Sequence, residues 1–258
     1  MKETDARELL PTDVVRKMKF YLTSPQPCPY LPGRMERKVF ANLAVDGAVN
    51  LNDSLTRSGF RRSQTIAYRP ACKACGACRS VRIDVAAFRM SRRWRRVLAQ
   101  NASLERTPSP ARATREQFRL LKRYLEARHP GGGMTDMDVR DYASMVDASP
   151  VRTVIFEYRN RLTSGGGEEA ALQGVALSDV LRDGLSMVYS FYRPDLSSRS
   201  IGSFIVLDHV RLASELGLSY VYLGYWVKGS RKMGYKSDFM PLEVFDGECW
   251  RPLRPDEI

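Results

Sequence analysis

The order of helix-like and strand-like stretches in the second half of the chain constrains its fold more than any other feature. Two amphipathic helical stretches precede three apolar runs with strand character, at 151–158, 170–177 and 185–192. A glycine- and serine-rich turn, a helix at 204–216 and a strand at 220–225 follow them. This order predicts an α/β (α+β) fold with a mixed sheet in the C-terminal part.

Local signals mark the ends of these elements. Thr114 and Gln117 form a capping box that opens the first helix, and the Pro-Gly-Gly-Gly run at 130–133 ends it. Thr135 is the predicted cap of the second helix, and Gly217 follows the third. A hairpin containing three successive glycines at 165–167 is expected between the first two strands.

The first part of the chain has a different character. It is rich in proline, cysteine and arginine, with strands predicted at Phe20–Leu22 and 81–85 and an arginine-rich helix at 91–100. The segment Thr107-Pro-Ser-Pro110 has the composition of a linker and predicts one. We therefore expect a smaller Cys/Arg-rich domain at 1–106 and a larger domain at 107–258.

Positive charge is concentrated in one short part of this chain, whose formal net charge is +12. Residues 56–96 contain twelve basic residues and one acid, Asp84. A block of one sign repels itself and favours a polyanionic partner, although a solubilising basic surface is the alternative. The residues predicted to contact a phosphate backbone are Arg61, Arg62, Arg92, Arg93, Arg95 and Arg96.

Four of the five cysteines have spacing that fits a metal site. Cys72, Cys75 and Cys78 are separated by two residues each, and Cys28 could be a fourth ligand to zinc or an iron–sulfur cluster. Reduced thiols without a metal are the alternative. The odd number of cysteines and the absence of an export signal favour a reducing compartment, so we expect a cytoplasmic protein. No run of eighteen apolar residues predicts a membrane span.

Two segments of the C-terminal part are candidates for binding a nucleic-acid end. The turn at 197–203 precedes a helix, where backbone amides, Arg199 and Gly202 suit an anion, although a plain helix cap would explain it equally. The segment 220–236 interleaves aromatic rings with cations, as single-strand binding sites do, but such rings more often belong to a sheet core.

Titratable residues offer one candidate base. Asp179 follows an apolar strand and could accept a proton in a cleft, or be an ordinary turn residue. His129 precedes a proline at a helix end, and His209 lies in the middle of a helix, where a structural role is expected. No catalytic triad is recognisable.

Three segments together resemble the aminoacyl-tRNA–protein transferases. They are Cys-Pro-Tyr-Leu-Pro-Gly-Arg at 28–34, the stretch from Gly59 to Phe88, and the stretch from Asp179 through Leu-Gly-Tyr-Trp-Val-Lys at 223–228 to Lys236. The match covers nearly the whole chain and is most similar to the bacterial branch. That branch moves leucine from leucyl-tRNA to proteins with N-terminal Asp or Glu, in N-degron proteolysis.

The resemblance implies a GNAT-type acyltransferase fold for the C-terminal part and a tRNA 3′ end in its groove. It requires no cofactor, and the possible metal stays open because Cys28 is followed by Pro-Tyr-Leu where eukaryotic relatives have Cys-Gly-Tyr-Cys. The expected catalytic residues are Asp179 as base and Ser200 and Ser203 as oxyanion donors. The expected contacts to substrate and the tRNA 3′ end are Arg69, Tyr192, Arg199, Gly202, Tyr222, Tyr225, Trp226, Lys228, Lys232, Tyr235 and Lys236.

Three other activities compete with leucine transfer. Arginyl transfer would use the same chemistry, and only the branch resemblance disfavours it. A CoA-dependent N-acetyltransferase would keep the fold, but one CoA does not need twelve cations. A non-enzymatic nucleic-acid-binding module would leave the C-terminal part unexplained.

Overall fold

One eight-stranded mixed sheet forms the centre of the molecule. In the computed structural model, which describes residues 18–131, 134–161, 171–230 and 232–258, its strand order is β14-β13-β7-β12-β11-β10-β9-β8. Only β11 and β12 pair in parallel, and the other neighbours are antiparallel. The eight strands are β7 Cys78–Asp84, β8 Leu104–Pro110, β9 Thr153–Asn160, β10 Leu172–Val180, β11 Gly184–Tyr192, β12 Tyr220–Val227, β13 Leu242–Phe245 and β14 Trp250–Pro252.

The N-terminal residues form a smaller sheet with the order β1-β4-β6-β5 and a short hairpin of β2 and β3. A helix, α1, connects β4 to β5 and packs its apolar face under this sheet, around Leu51 and Leu55. The elements are β1 Phe20–Leu22, β2 Gln26–Pro27, β3 Met35–Glu36, β4 Lys38–Asn42, α1 Ala48–Arg57, β5 Arg61–Ser63 and β6 Ile66–Pro70.

Among the described residues, four further helices cover the large sheet. They are α2 Arg92–Gln100, α3 Arg115–Arg128, α4 Val139–Asp147 and α5 Ile201–Glu215. One core cluster joins α2 and α5 to β7 and β12, and a second joins α3 and α4 to β9, β10 and β11. Short 3₁₀ helices occupy Pro194–Arg199, Gly234–Phe239 and Pro255–Glu257. Within the residues described, no helix combines the length and apolar character that a membrane span requires.

Most predicted elements are present, with shifted ends. The capping box of Thr114 and Gln117 is confirmed at the start of α3, and Ser91 caps the arginine-rich α2. The cap of α4 is Asp138, not Thr135, and α5 begins at Ile201, three residues earlier than predicted. The predicted glycine hairpin at 165–167 lies outside the described residues.

The linker predicted at 107–110 was wrong, because those residues belong to strand β8. Pro108 and Pro110 do not obstruct the sheet because β8 is its edge strand, where a missing N–H leaves no neighbour unpaired. The α+β class with a mixed sheet is confirmed. The division at residue 106 stays a prediction, and β7, from the first part, pairs with β12 and β13 in the large sheet.

Candidate active site

A cavity of about 310 Å³ lies where β11 and β12 separate. The two strands pair from Gly184 and Tyr220 to Ser186 and Tyr222, and no pairing between them continues beyond that point. Helices α3 and α5 and the segment after β12 supply the remaining walls. The lining residues are Arg61, Tyr124, Leu125, His129, Met134, Met187, Tyr189, Ser190, Val206, Leu223, Lys232, Met233, Tyr235 and Lys236.

The cavity has an apolar wall and a cationic wall. Leucine, valine and methionine side chains from α3, α5, β11 and β12 form the first. Arg61, Lys232 and Lys236 bring positive charge to the second, and no aspartate or glutamate is among the described lining residues. A small apolar group and an anion can therefore both be accommodated, which is typical of a site that orients a polar ligand by few contacts.

Arg61 bridges the two separated strands. Its Nη1 donates to the carbonyl oxygen of Leu223 on β12 at 3.2 Å, and its Nη2 donates to the carbonyl of Val188 on β11. Both contacts lie beyond Ser186 and Tyr222, the last paired residues of the two strands. Arg61 thus faces the cavity, and its contact with a phosphate backbone stays a prediction.

Gly224 leaves the room that Arg61 occupies. Its φ is +73°, and a Cβ built there would overlap Nη1 of Arg61. Position 224 therefore requires glycine for two reasons, the left-handed backbone conformation and the close approach of the Arg61 guanidinium.

Lys236 is the most deeply buried cation of the cavity wall. Its side chain is 3% exposed, and its Nζ donates to the carbonyl oxygen of Tyr225 at 2.6 Å. Met233 Sδ lies 3.7 Å from the same nitrogen. Burial, and next the positive charge of Arg61, lower the pKa of Lys236 well below its ordinary value.

His129 and two tyrosines form the aromatic side of the cavity. The His129 ring meets Tyr124 edge to face, with centroids 5.7 Å apart. Burial, and next the nearby charges of Lys232 and Arg128, lower the pKa of His129, which favours the neutral ring. Sequence reasoning assigned His129 to the helix end alone, because only the fold brings α3 against β11.

Asp179 does not occupy the position predicted for a base. It lies on β10, 1% exposed, and its Oδ2 and Oδ1 accept from Arg62 Nε and Nη2 at 2.6 and 2.7 Å. Thr153 Oγ1 also donates to Oδ1 at 2.7 Å. Both oxygens are occupied, and Asp179 is absent from the described lining of the cavity. The same ion pair includes Arg62, which is buried with it, and the contact of Arg62 with a phosphate backbone stays a prediction.

The predicted anion turn lies beside the cavity, outside the lining that the structure describes. Ser200 is exposed, has a φ of 54° and precedes α5, while Gly202 and Ser203 lie in the first turn of that helix. The ring of Tyr192 packs against Gly202, and its hydroxyl accepts from Arg128 at 3.3 Å. Arg199 Nη2 donates to the carbonyl of Gln100 at 2.6 Å, which ties this turn to the end of α2.

The aromatic rings of β12 are not available for stacking on bases. Tyr222, Tyr225 and Trp226 are each at most 3% exposed, and both tyrosine hydroxyls are hydrogen-bonded. The rings belong to the sheet core, and their contacts with a tRNA end stay predictions. Lys228 is exposed, and Tyr235 and Lys232 lie on the cavity wall.

Arg69 lies apart from the cavity. It is exposed on β6, with its guanidinium 5.1 Å from the centre of the Phe60 ring. It lines a different pocket, at the start of β7, together with Arg79 and Arg251. The structure therefore does not bring Arg69 together with Lys232 and Lys236.

Helix α2 presents a strongly basic face to solvent. Arg92, Arg93, Arg95 and Arg96 are all exposed, while Trp94 and Val97 face the core. Only Arg93 of these four forms a described ion pair, with Asp238 at 2.9 Å. The helix therefore retains the surface charge predicted for a phosphate backbone contact.

The four clustered thiols lie near one another in the N-terminal part. Burial, and then the charges of Cys28, Cys72 and Cys75, raise the pKa of Cys78 to about 12. Arg34 Nη1, however, lies 3.1 Å from Cys75 Sγ. Within the described residues no group of three or more such side chains is arranged to hold a metal ion, so the residues as placed do not fit one. The zinc or iron–sulfur site stays a prediction based on spacing.

Family models and curated proteins match the chain over most of its length. The model described as "Arginine-tRNA-protein transferase, C terminus" matches residues 116–246, and the corresponding N-terminus model matches 26–96. The aspartate/glutamate leucyltransferase of Hyphomonas neptunium is 56% identical over 257 residues, which cover 100% of both chains. That of Phenylobacterium zucineum is 56% identical over 249 residues, covering 94% of this chain and 96% of its own.

A solved structure is similar at lower identity. The crystal structure of FemX covers 76% of this chain and 64% of its own, with 10% identity and a TM-score of 0.44. The two family models and the full-length curated relatives agree with each other. The chain belongs to the arginine-tRNA-protein transferase family.

Proposed function

We propose that this protein transfers leucine from leucyl-tRNA to the N-terminal α-amine of proteins that begin with Asp or Glu, and so marks them for N-degron proteolysis. The observation that carries the proposal is the 56% identity, over the full length of both chains, to the aspartate/glutamate leucyltransferase of Hyphomonas neptunium. The cavity supports it, because an apolar wall suits leucine and a cationic wall suits an acidic acceptor.

The reaction exchanges an ester for an amide. The acceptor amine attacks the carbonyl carbon of the leucyl ester, a C–N bond forms, and the ester C–O bond to the tRNA ribose breaks. The proton released by the amine is balanced by the one taken up by the departing ribose oxygen. A free α-amine has a pKa of about 7.7–8.0, so a substantial fraction is already neutral at cellular pH. The main contribution of the protein is then the positioning of amine and ester.

The tRNA would approach along two described surfaces. The exposed arginines of α2 would contact its phosphate backbone, and the amides at the start of α5 would receive a phosphate near its 3′ end. Ser200 and Ser203 are better placed for that contact than for the oxyanion, because they lie outside the described cavity lining. A GNAT-type arrangement of β11, β12 and α5 and a cytoplasmic location belong to the same proposal.

The test compares three donors with one acceptor. Purified protein is incubated with labelled leucyl-tRNA, arginyl-tRNA or acetyl-CoA and a peptide that begins with Asp. Label from leucyl-tRNA alone supports the proposal. Label from arginyl-tRNA would show that the transferred amino acid is arginine. Label from acetyl-CoA, or from none of the donors, would overturn the proposed function.

A further inference from the structure

Two cations occupy the gap between β11 and β12. Arg61 contacts the carbonyls of Val188 and Leu223, and Lys236 contacts the carbonyl of Tyr225, two residues farther along β12. Both β12 carbonyls lie beyond Tyr222, the last residue of that strand that pairs with β11. We call this pair of cations and the gap between them the cationic wedge.

The cationic wedge lacks a counterion in the part of the chain that the structure describes. No described ion pair includes Arg61 or Lys236, whereas Arg62, the next residue on β5, is fully paired with Asp179. Cations withdrawn from water without an anion are costly to a fold. Burial, and next the charge of Arg61, lower the pKa of Lys236. An anion in the cavity would stabilise the charged form of Lys236 and compensate the charge of Arg61.

We propose that the cationic wedge binds the side-chain carboxylate of the acceptor's N-terminal Asp or Glu, and that Arg61 and Lys236 determine acceptor specificity. This inference rests on the proposed function. Asp and Glu differ by one methylene and both deliver a carboxylate, whereas the amides Asn and Gln leave the two cations unpaired. A site built for a charged partner rejects an uncharged isostere strongly. The apolar wall formed by Leu125, Met187 and Val206 is then left for leucine.

The first experiment separates charge recognition from catalysis. Values of kcat/KM with leucyl-tRNA are measured for peptides that begin with Asp, Glu, Asn or Gln, in wild type, Lys236→Met and Lys236→Arg. A hydrogen bond to a charged group contributes about 1.5–3 kcal/mol, or roughly tenfold to 150-fold. Lys236→Met should lose about that factor with Asp and Glu, mainly through KM, and change little with Asn and Gln. Lys236→Arg should recover most of the loss.

A matched control makes the same change outside the cavity. Lys38 pairs with Glu36 on the small sheet, so Lys38→Met should leave the preference for acidic peptides unchanged. If Lys236→Met is folded and discriminates Asp from Asn as the wild type does, the inference is overturned. A wild type that transfers leucine to no peptide would instead overturn the proposed function.

The second experiment needs no variant at Lys236. Met233 Sδ lies next to Lys236 Nζ, so the ¹³C-labelled methyl group of Met233 reports on the cationic wedge in NMR spectra of the wild type. Millimolar aspartyl-alanine should shift the Met233 signal, and asparaginyl-alanine should not. Met18, which packs against the core of the small sheet, is the internal control. No shift of Met233 with aspartyl-alanine, or equal shifts with both dipeptides, would overturn the inference.

Discussion

Arg62 and Asp179 join the small sheet to the large one through a two-point ion pair, with nitrogen–oxygen distances of 2.6 and 2.7 Å. Both side chains are 1% exposed. Arg62 lies on β5 and Asp179 on β10, and the adjacent Arg61 enters the cavity. The pair therefore holds in place the strand that carries Arg61 into the cavity. Asp179 acts on the site through Arg62 and Arg61 and is not among the described residues that line the cavity.

Replacing Asp179 by Asn should lower the free energy of unfolding more than it affects chemistry. The substitution leaves the Arg62 charge buried and uncompensated, which costs about 3–5 kcal/mol. Urea unfolding measures the loss, and leucyl transfer is compared at a temperature where the variant is folded. The double variant Arg62→Met/Asp179→Leu should be more stable than Asp179→Asn, because no charge remains buried. If Asp179→Asn is as stable as the wild type but does not transfer leucine, Asp179 takes part in the reaction itself.

Replacing Gly224 by Ala should displace Arg61 from the cavity. A left-handed conformation costs alanine roughly 1–2 kcal/mol, and overlap with the guanidinium adds an overpacking penalty of about 1–3 kcal/mol. Gly229→Ala is the matched control, since Gly229 also has a positive φ, of 78°, but nothing lies within 4 Å of its built Cβ. Thermal unfolding and transfer rates should show the larger loss for Gly224→Ala. Equal losses in the two variants would contradict the described contact.

Neutralising the exposed arginines of α2 should weaken tRNA binding and reduce its dependence on salt. The triple variant Arg92→Gln/Arg95→Gln/Arg96→Gln should lower the slope of log K against log salt by about 0.9 for each duplex phosphate that the protein no longer neutralises. Binding of leucyl-tRNA is measured at several salt concentrations. Arg112→Gln/Arg140→Gln/Arg161→Gln removes the same charge from exposed sites elsewhere. A slope equally reduced in both triple variants would refute a specific role for α2.

Stability should fall with decreasing pH below about 6.5 because His209 is buried in its neutral form. Its ring contacts Ser178 Oγ at 2.9 Å and the carbonyl of Ile205 at 2.8 Å, and burial lowers its pKa to about 4. The unfolded state, with a histidine pKa of about 6.5, binds more protons between these values, so stability is present above 6.5 and is lost towards 4. The effect amounts to about 3 kcal/mol at most.

Unfolding by urea at pH 7 and pH 4.5 tests this dependence. The double variant Ser178→Ala/His209→Met removes the imidazole and its hydroxyl partner together, and its stability should change less between the two pH values. An unchanged pH dependence in that variant would assign the effect to other groups.

The sequence predicted most elements because their signals are local. The capping box at Thr114 and the alternating residues of β7 report on neighbours a few positions away. Strand β8 was missed because Thr-Pro-Ser-Pro resembles a linker unless the strand is known to lie at a sheet edge.

The site was harder to predict because its residues are distant in sequence. The sequence shows the charges of Arg61 and Arg62. The residues that these two arginines contact depend on how β5 packs against β10, β11 and β12. The sequence around Asp179 suits a catalytic base as well as a structural ion pair. Its partner Arg62 is 117 positions away in the sequence. Tyr222, Tyr225 and Trp226 lie among valine, leucine and glycine residues, and only the place of β12 inside the sheet shows that their rings are buried.

Leucine transfer to an acidic N-terminus is tested most directly by a competition between donors and between acceptors. The protein receives equal amounts of leucyl-tRNA and arginyl-tRNA together with two peptides that differ only in an N-terminal Asp or Asn, and the peptide masses are determined. We predict one product, the Asp peptide extended at its N-terminus by a single leucine. An arginine-extended Asp peptide, or equal extension of the Asp and Asn peptides, would contradict the account.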